Sequence, residues 1–228
     1  IKSFKIPEIK EGQLLIKVLF SGICRSQLME IEGKRGKDKW LPHLLGHEAS
    51  GIVLKTGRSV KKFKKGDEVV LTWIKGTGCD VNGAKYLDKN ITYNSGPITT
   101  FSNYTIVAEN RVQKKPNNLS LLKSTLLGCA LPTGFGVVRN EFKLNKVSSI
   151  AILGIGGIGL SAVLASKLLN IKDIVALDIS NKKLKIAKKL GAKNIINTNN
   201  INFQKNMSKI FPNGVDLCIE AAGFSKTI

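Results

Sequence analysis

The first half of the chain carries its hydrophobic residues in short β-type runs. Residues 13–20 (QLLIKVLF) form one such run, with Gly22 just beyond it. Residues 51–55 (GIVLK) and 68–72 (EVVLT) are β-branched and bounded by glycines, which predicts two more strands. Between them, 61–67 (KKFKKGD) is a charged turn on a solvated face. Residues 75–98 are rich in Gly, Asn and Lys with weak periodicity, and predict a long lobe or loop. A segment of that kind inside a compact domain points to a special role. Residues 101–107 resume as strand.

The second half alternates strand and helix patterns. Residues 148–153 (SSIAIL) predict a buried strand, 154–159 (GIGGIG) a glycine turn, and 160–169 (LSAVLASKLL) a helix. Residues 173–178 (DIVALD) predict the next strand. Ser180 then stands where it can cap a helix that runs to Leu190 and stops at Gly191. Residues 195–196 begin a short strand, 202–211 a helix, and 215–220 (VDLCIE) a fourth strand. Such alternation implies a parallel sheet covered by helices on both faces. A full dinucleotide fold has about six strands, so four predict a fold incomplete at its C-terminal end. The start at Ile1, without methionine, is likewise read as that of a partial chain.

At 228 residues, with 43% hydrophobic and 23% charged residues, the chain is long enough and apolar enough for a sizeable core. No apolar run reaches the length of a membrane span. Cysteines at 24, 79, 129 and 218 are too scattered for a disulfide framework, which suggests a reducing, cytoplasmic setting. The net charge of +20 raises the question of a polyanionic partner. Its make-up argues otherwise: 31 lysines, 5 arginines and 18 asparagines amount to a compositional bias spread over solvated faces. Arginine, the residue suited to forked phosphate and base contacts, is scarce. Neither nucleic acid nor a membrane is expected as a partner.

Gly154, Gly156 and Gly159 form a G-x-G-x-x-G pattern that follows a buried strand and opens a helix. In a dinucleotide site the first permits the tight turn, the second admits the pyrophosphate, and the third lets helix and strand pack closely. The helix N-terminus then faces phosphate charge. A plain tight turn fits the glycines alone. Asp178 adds to them, standing 19 residues past Gly159 at the end of the next strand. An acid about 20 residues on holds the adenosine ribose hydroxyls. Asp178 as a simple helix-capping acid is the alternative. As a ribose ligand it would repel the extra phosphate of NADP, so NAD is the expected cofactor, with Lys182 and Lys183 nearby as a partial offset.

Cys24, His47 and Cys129 offer two thiolates and an imidazole. With one open position that is a catalytic zinc set. Intervals of 23 and 82 residues do not by themselves distinguish ligands from an inert core cysteine and a structural histidine.

The segments around these residues, in their order, resemble the zinc-dependent medium-chain dehydrogenase/reductase superfamily, in its alcohol dehydrogenase branch. GHEASG with Gly57 and Val60 resembles the zinc signature. GICRS and GCALPTGFG are similar to the other ligand segments, and GIGGIG and GVDLCIEAAG to the coenzyme domain. The resemblance spans nearly the whole chain. It implies an α/β protein: a GroES-like, mainly β catalytic domain over 1–130, then a Rossmann-fold coenzyme domain over 131–228, with the active site in the cleft between. It implies Cys24, His47 and Cys129 as zinc ligands and Glu48 as a transient fourth. Ser26 would take the alcohol proton. Arg25 would contact the pyrophosphate, Thr133 and Ile158 (beside Gly157) the nicotinamide, and Lys183 the ribose. Trp73 would line the substrate pocket.

Three positions depart from the family pattern. Gln27 stands where an aspartate usually orients the zinc histidine, and is expected to accept that hydrogen bond without charge. Met29 stands where some members have a relay histidine. Residues 75–98 replace the structural-zinc lobe and hold only Cys79, so one catalytic zinc and no structural zinc are expected. Cys79 is expected to be a loop thiol and Cys218 a core residue. The implied activity is reversible hydride transfer between an alcohol (or its aldehyde or ketone) and NAD, in a homo-oligomer, dimer or tetramer. Two other readings stay open: a zinc-free quinone or enoyl reductase of the same superfamily, and a non-catalytic cofactor- or polyanion-binding protein.

Overall fold

The structure, a computed structural model, describes residues 1–141, 147–200 and 202–224. The chain divides into two compact units, Ile1–Cys129 and Ala130–Ile228.

The first unit is built on a five-stranded antiparallel sheet. Its strands are β1 (Gln13–Ser21), β2 (Glu48–Thr56), β3 (Glu68–Thr72), β6 (Tyr104–Ala108) and β7 (Val112–Lys114), in the order β6-β1-β2-β3-β7. Alternation along β1 explains the packing. Leu14 and Ile16 point into one core with Val53, Val69, Leu71 and Val107, while Leu15 faces the opposite side. The predicted strand at 51–55 starts three residues earlier, at Glu48, because its first residues find partners in β3.

Residues 75–98 are more ordered than their composition predicts. They contain a hairpin, β4 (Lys85–Asp88) and β5 (Ile91–Asn94). Its aromatics are the reason. Tyr86 and Tyr93 close edge-on against Phe4, with ring centroids 5.9 and 5.1 Å apart, over Ile106 and Leu15. A short helix, α1 (Arg25–Ile31), and the single turn α2 (Leu121–Ser124) were not signalled by periodicity, both being too short to show it.

The second unit has a four-stranded parallel sheet: β8 (Ser149–Leu153), β9 (Asp173–Asp178), β10 (Asn194–Asn197) and β11 (Leu217–Glu220), in the order β10-β9-β8-β11. The direction of winding reverses at β8, where an open sheet of this kind binds its ligand. Helices α3 (Ala130–Asn140), α4 (Gly157–Leu168), α5 (Asn181–Leu190) and α6 (Phe203–Ile210) cover it. One face packs Ile150, Ile152, Ile174 and Ile219 with Ala162, Leu184 and Val138. The other packs Ala151, Val175 and Leu177 with Phe203 and Met207 of α6.

Two expectations are corrected here. Cys218 is exposed rather than core, because Leu217 and Ile219 on either side take the buried face of β11 and the alternation turns Cys218 away. Ser180 occupies the N-cap of α5, but its side chain makes no capping bond. The N–H of Ser180 itself donates to Asp178 Oδ1 at 2.8 Å, which anchors the chain entering the helix.

Asp216 ties β8 to the segment before β11. One of its carboxylate oxygens accepts from the hydroxyls and backbone N–H groups of both Ser148 and Ser149, at 2.8 to 2.9 Å. Those donors, the Ser148 hydroxyl first, hold its carboxyl well below the usual carboxylate range.

Candidate metal and dinucleotide sites

Sheet register explains how distant residues meet in the first unit. β1 and β2 are antiparallel, with Ser21 opposite Ala49, so the residues just after β1 lie beside those just before β2. Cys24 therefore arrives next to His47 and Glu48. Glu48 in turn pairs with Thr72 of β3, which puts Trp73 at the same end of the sheet. The turn Thr125–Gly128 lies against this end and delivers Cys129. Its Gly128 sits so close that a Cβ would come within 2.5 Å of the Leu71 carbonyl and 2.7 Å of the Glu48 side chain.

The result is a cluster of Cys24, His47, Glu48 and Cys129 whose ligand atoms all lie within 4.8 Å of one another. Glu48 and Cys129 are each about one-twentieth exposed. The two sulfurs are 3.9 Å apart. Two Zn–S bonds of about 2.3 Å at a tetrahedral angle would place them about 3.8 Å apart. His47 Nε2 is buried and has no hydrogen-bond partner among the described residues. A buried imidazole with an orphaned nitrogen, grouped with two thiols, fits a metal ion of the zinc type. When bound there, the ion would be held by Cys24, Cys129 and His47, with Glu48 in reach.

The electrostatics agree. The neighbouring Cys129 thiol, and then the His47 ring, lower the pKa of Cys24. Cys129 is raised, first by its bond to that thiolate and then by burial, while Trp73 pulls it slightly the other way. Burial raises Glu48, and the Cys24 charge adds to this. One negative charge is favoured at Cys24 and a second is opposed at Cys129 and Glu48, an opposition that a divalent cation would relieve.

Ser26 donates to Cys24 Sγ at 3.3 Å. Gln27 is buried but does not orient the His47 ring as expected. Its carboxamide oxygen accepts the Gly46 N–H, and its nitrogen donates to Glu30 Oε2 at 2.9 Å. It lies one turn into α1, level with the backbone that precedes His47 and not with the ring. Trp73 is about half exposed, and its carbonyl accepts from the Arg111 guanidinium. Arg25 is exposed at the first position of α1. Cys79 is outside the metal cluster. Its N–H donates to Glu109 at 2.9 Å and its thiol to the Ser59 carbonyl at 3.4 Å.

In the second unit the glycine turn joins β8 to α4. Gly154 has φ +87°, and a Cβ there would come within 2.4 Å of the Ala222 backbone. At Gly159 a Cβ would lie 2.0 Å from the Gly154 carbonyl. Gly156 is different: a Cβ would meet nothing within 4 Å, so the space before the turn is left by the chain itself. Asp178 closes the turn from β9, its Oδ2 accepting the Ile155 N–H at 2.7 Å, with Lys183 at 3.7 Å. Thr133 on α3 has a buried hydroxyl with no partner among the described residues. Gly134 beside it packs on the Ile158 carbonyl of α4. The open cradle at Gly156, Gly157 at the helix start and the carboxylate of Asp178 fit a dinucleotide. Gly159→Ala should lower unfolding stability by about 1–3 kcal/mol through overpacking. Thermal denaturation of variant and parent checks this.

Comparison with known proteins gives the class. Residues 10–117 match the family described as alcohol dehydrogenase GroES-like domain, and residues 157–228 that described as zinc-binding dehydrogenase. The chain belongs to the zinc-dependent medium-chain dehydrogenase/reductase superfamily. It is 29% identical to alcohol dehydrogenase class-2 isozyme 2 of Oryctolagus cuniculus, in an alignment covering 100% of this chain and 68% of that protein. Among solved structures it is similar to benzyl alcohol dehydrogenase from Acinetobacter calcoaceticus, with 29% identity and a TM-score of 0.85 over 99% of this chain and 67% of that one. It is also similar to 2R,3R-butanediol dehydrogenase from Bacillus subtilis, with 27% identity and a TM-score of 0.76 over 99% and 68%. The chain thus spans about two thirds of the length of these relatives. No single helix among the described residues is long and apolar enough to cross a membrane.

Proposed function

We propose that the protein is a zinc-dependent alcohol dehydrogenase that transfers hydride reversibly between an alcohol and NAD. The observation that carries this reading is the convergence of Cys24, Cys129 and the unpartnered His47 Nε2, with Glu48 beside them. When bound, zinc and the nicotinamide supply a Lewis acid for the alcohol or carbonyl oxygen and an acceptor for the hydride.

The chain's own residues do the rest. The two thiols and the imidazole hold the ion and leave a position open for substrate. Ser26 Oγ relays the proton the alcohol gives up, accepting it as its own hydroxyl proton passes toward solvent. Trp73 walls the substrate and limits its approach, a proximity effect. Arg25 pairs with the pyrophosphate, and Gly154, Gly156 and Gly159 let it approach the backbone. Thr133 and Ile158 position the nicotinamide, while Asp178 and Lys183 hold the ribose. Glu48, kept toward its neutral form, is available as a passing fourth ligand.

One catalytic zinc and no structural zinc are proposed, because residues 75–98 hold a single cysteine and close around aromatics instead. The dehydrogenase reading further carries a homo-oligomer and, from four free cysteines, a cytoplasmic setting.

The test is the zinc content of the full-length protein after dialysis, by elemental mass spectrometry, with NAD reduction followed over a panel of alcohols. About one retained zinc per chain and alcohol-dependent NAD reduction are expected. Zinc-free protein with quinone or enoyl reduction would instead make it a reductase of the same superfamily. Zinc-free protein with no turnover would make it a binding protein.

A further inference from the structure

The peptide group joining Leu45 to Gly46, one residue before His47, is fastened at both ends. Its carbonyl oxygen accepts from the Thr99 hydroxyl at 2.7 Å and from the N–H groups of Thr100 and Phe101 at 3.2 and 3.0 Å. Its N–H donates to the carboxamide oxygen of the buried Gln27. On the far side of His47, the Glu48 carbonyl accepts from the Gly22 N–H at 3.0 Å and the Ser21 hydroxyl at 3.2 Å. The main chain of His47 is thus held from both sides.

The Gln27 bond differs from the others in what it joins. Cys24 is the N-cap of α1, and the Gln27 N–H donates to the Cys24 carbonyl at 3.1 Å. The bond to Gly46 therefore ties the helix that starts at one thiol to the segment that carries the imidazole. Gln27 is in turn anchored. Its nitrogen donates at 2.9 Å to Oε2 of Glu30, three residues on along the same face of α1. The other Glu30 oxygen faces His43 Nε2 at 3.3 Å, which is 2.7 Å from Asp38 Oδ2, while His43 Nδ1 is 3.0 Å from the Leu44 carbonyl. Burial opposes charging His43, but its bonds to Leu44 and Asp38 and the nearby Glu30 outweigh this and raise its pKa. As a cation it donates from both ring nitrogens and balances Glu30, with the Arg35 guanidinium at 3.9 Å adding to this. The group at position 27 must accept from Gly46 and donate to Glu30. An ionised carboxylate there accepts but does not donate, and it would stand against Glu30 as a like charge. That is a physical reason for a glutamine at the place where the family usually has an aspartate.

We infer that Gln27, anchored through Glu30 and His43, is a positioning residue that sets the spacing of Cys24 and His47 in the metal cluster. The inference rests on the zinc reading above and assigns Gln27 a role in it: the carboxamide acts on the main chain before the imidazole and not on the ring. A metal site whose ligands come from separate segments binds tightly only when outer bonds hold those segments at the distance the ion needs.

The test uses full-length protein stripped of metal, titrated at pH 8 with Co²⁺ and, against a chromophoric chelator, with Zn²⁺. Cobalt at the cysteines gives a thiolate charge-transfer band, and its visible d–d bands report the geometry at the ion. Gln27→Met keeps the volume of the side chain but neither accepts nor donates. It should weaken zinc by roughly the 10–100-fold that loss of an outer partner costs, and shift the d–d bands. Far-UV circular dichroism of the metal-free variant should match the parent. Gln27→Glu combined with Glu30→Gln exchanges donor and acceptor, so Gly46 keeps an acceptor and the pair on α1 is retained. That double variant should return to the parent's zinc affinity within a few-fold and to its d–d bands. If Gln27→Met does not fold, Gln27→Glu alone takes its place and should bind zinc more weakly than the double variant. Affinity and bands unchanged in the single variant, or a loss shared equally by the double variant, would overturn the inference and leave the zinc reading standing. A parent protein without the thiolate band would remove the zinc reading, and this inference with it.

Discussion

Cys129→Ser is expected to leave a folded protein that no longer retains zinc through dialysis. Its alcohol-dependent turnover should fall by at least about a thousandfold, a loss of roughly 4 kcal/mol of transition-state stabilisation. Serine fills nearly the same volume as cysteine, and Cys129 sits among Glu48, Gly128 and Trp73 without a larger packing role. Far-UV circular dichroism should therefore match the parent. A serine hydroxyl does not ionise at neutral pH, so the site loses one of its two soft anionic donors. Elemental mass spectrometry and steady-state kinetics on the same preparation check both parts. If the variant keeps its zinc and its turnover, Cys129 is not a ligand and the metal assignment falls.

Asp178→Gly is expected to shift the ratio of kcat/KM for NAD over NADP toward NADP. A like charge at about 4 Å and an effective dielectric of about 20 costs about 4 kcal/mol. Lys183, 3.7 Å away, and solvent screening reduce this. A change in the ratio on the order of 100-fold is the reasonable expectation. The structure adds a second effect. Asp178 also accepts the N–H groups of Ile155 and Ser180 at 2.7 and 2.8 Å. Removing it loosens the glycine turn, so the absolute kcat/KM with NAD should fall even as discrimination relaxes. Kinetics with both cofactors separate the two effects, because the loosened turn affects both and the charge only their ratio. An unchanged ratio would leave Asp178 with a purely structural role.

Much of the dinucleotide unit was legible in the sequence because its signals are local. GIGGIG between a buried run and a helix, and DIVALD ending in an acid, sit within about thirty residues of one another, and β9 was read to the residue. Even so, Ser180 stands at the N-cap of α5 without its side chain making the capping bond, and its own N–H donates to Asp178; the residue's place is legible in the sequence, but the bond depends on side-chain and backbone geometry. The hairpin in 75–98 was hidden for a related reason. Its order comes from Tyr86 and Tyr93 meeting Phe4, more than eighty residues away in sequence.

Strand and helix periods, the glycine turn and its acid, and the set of cysteines and histidines that could act are all readable along the chain. The tertiary structure decided which of them meet. Antiparallel register between β1 and β2 carries Cys24 to His47, and the turn before Cys129 closes the group, while Cys79 and Cys218 are left outside it. It also decided that Gln27 holds the backbone before His47, and that His43 pairs with Asp38 and Glu30. Periodicity is a property of neighbours in the chain. A ligand set is a property of register and of loop closure across scores of residues, where packing and not local preference selects the partner.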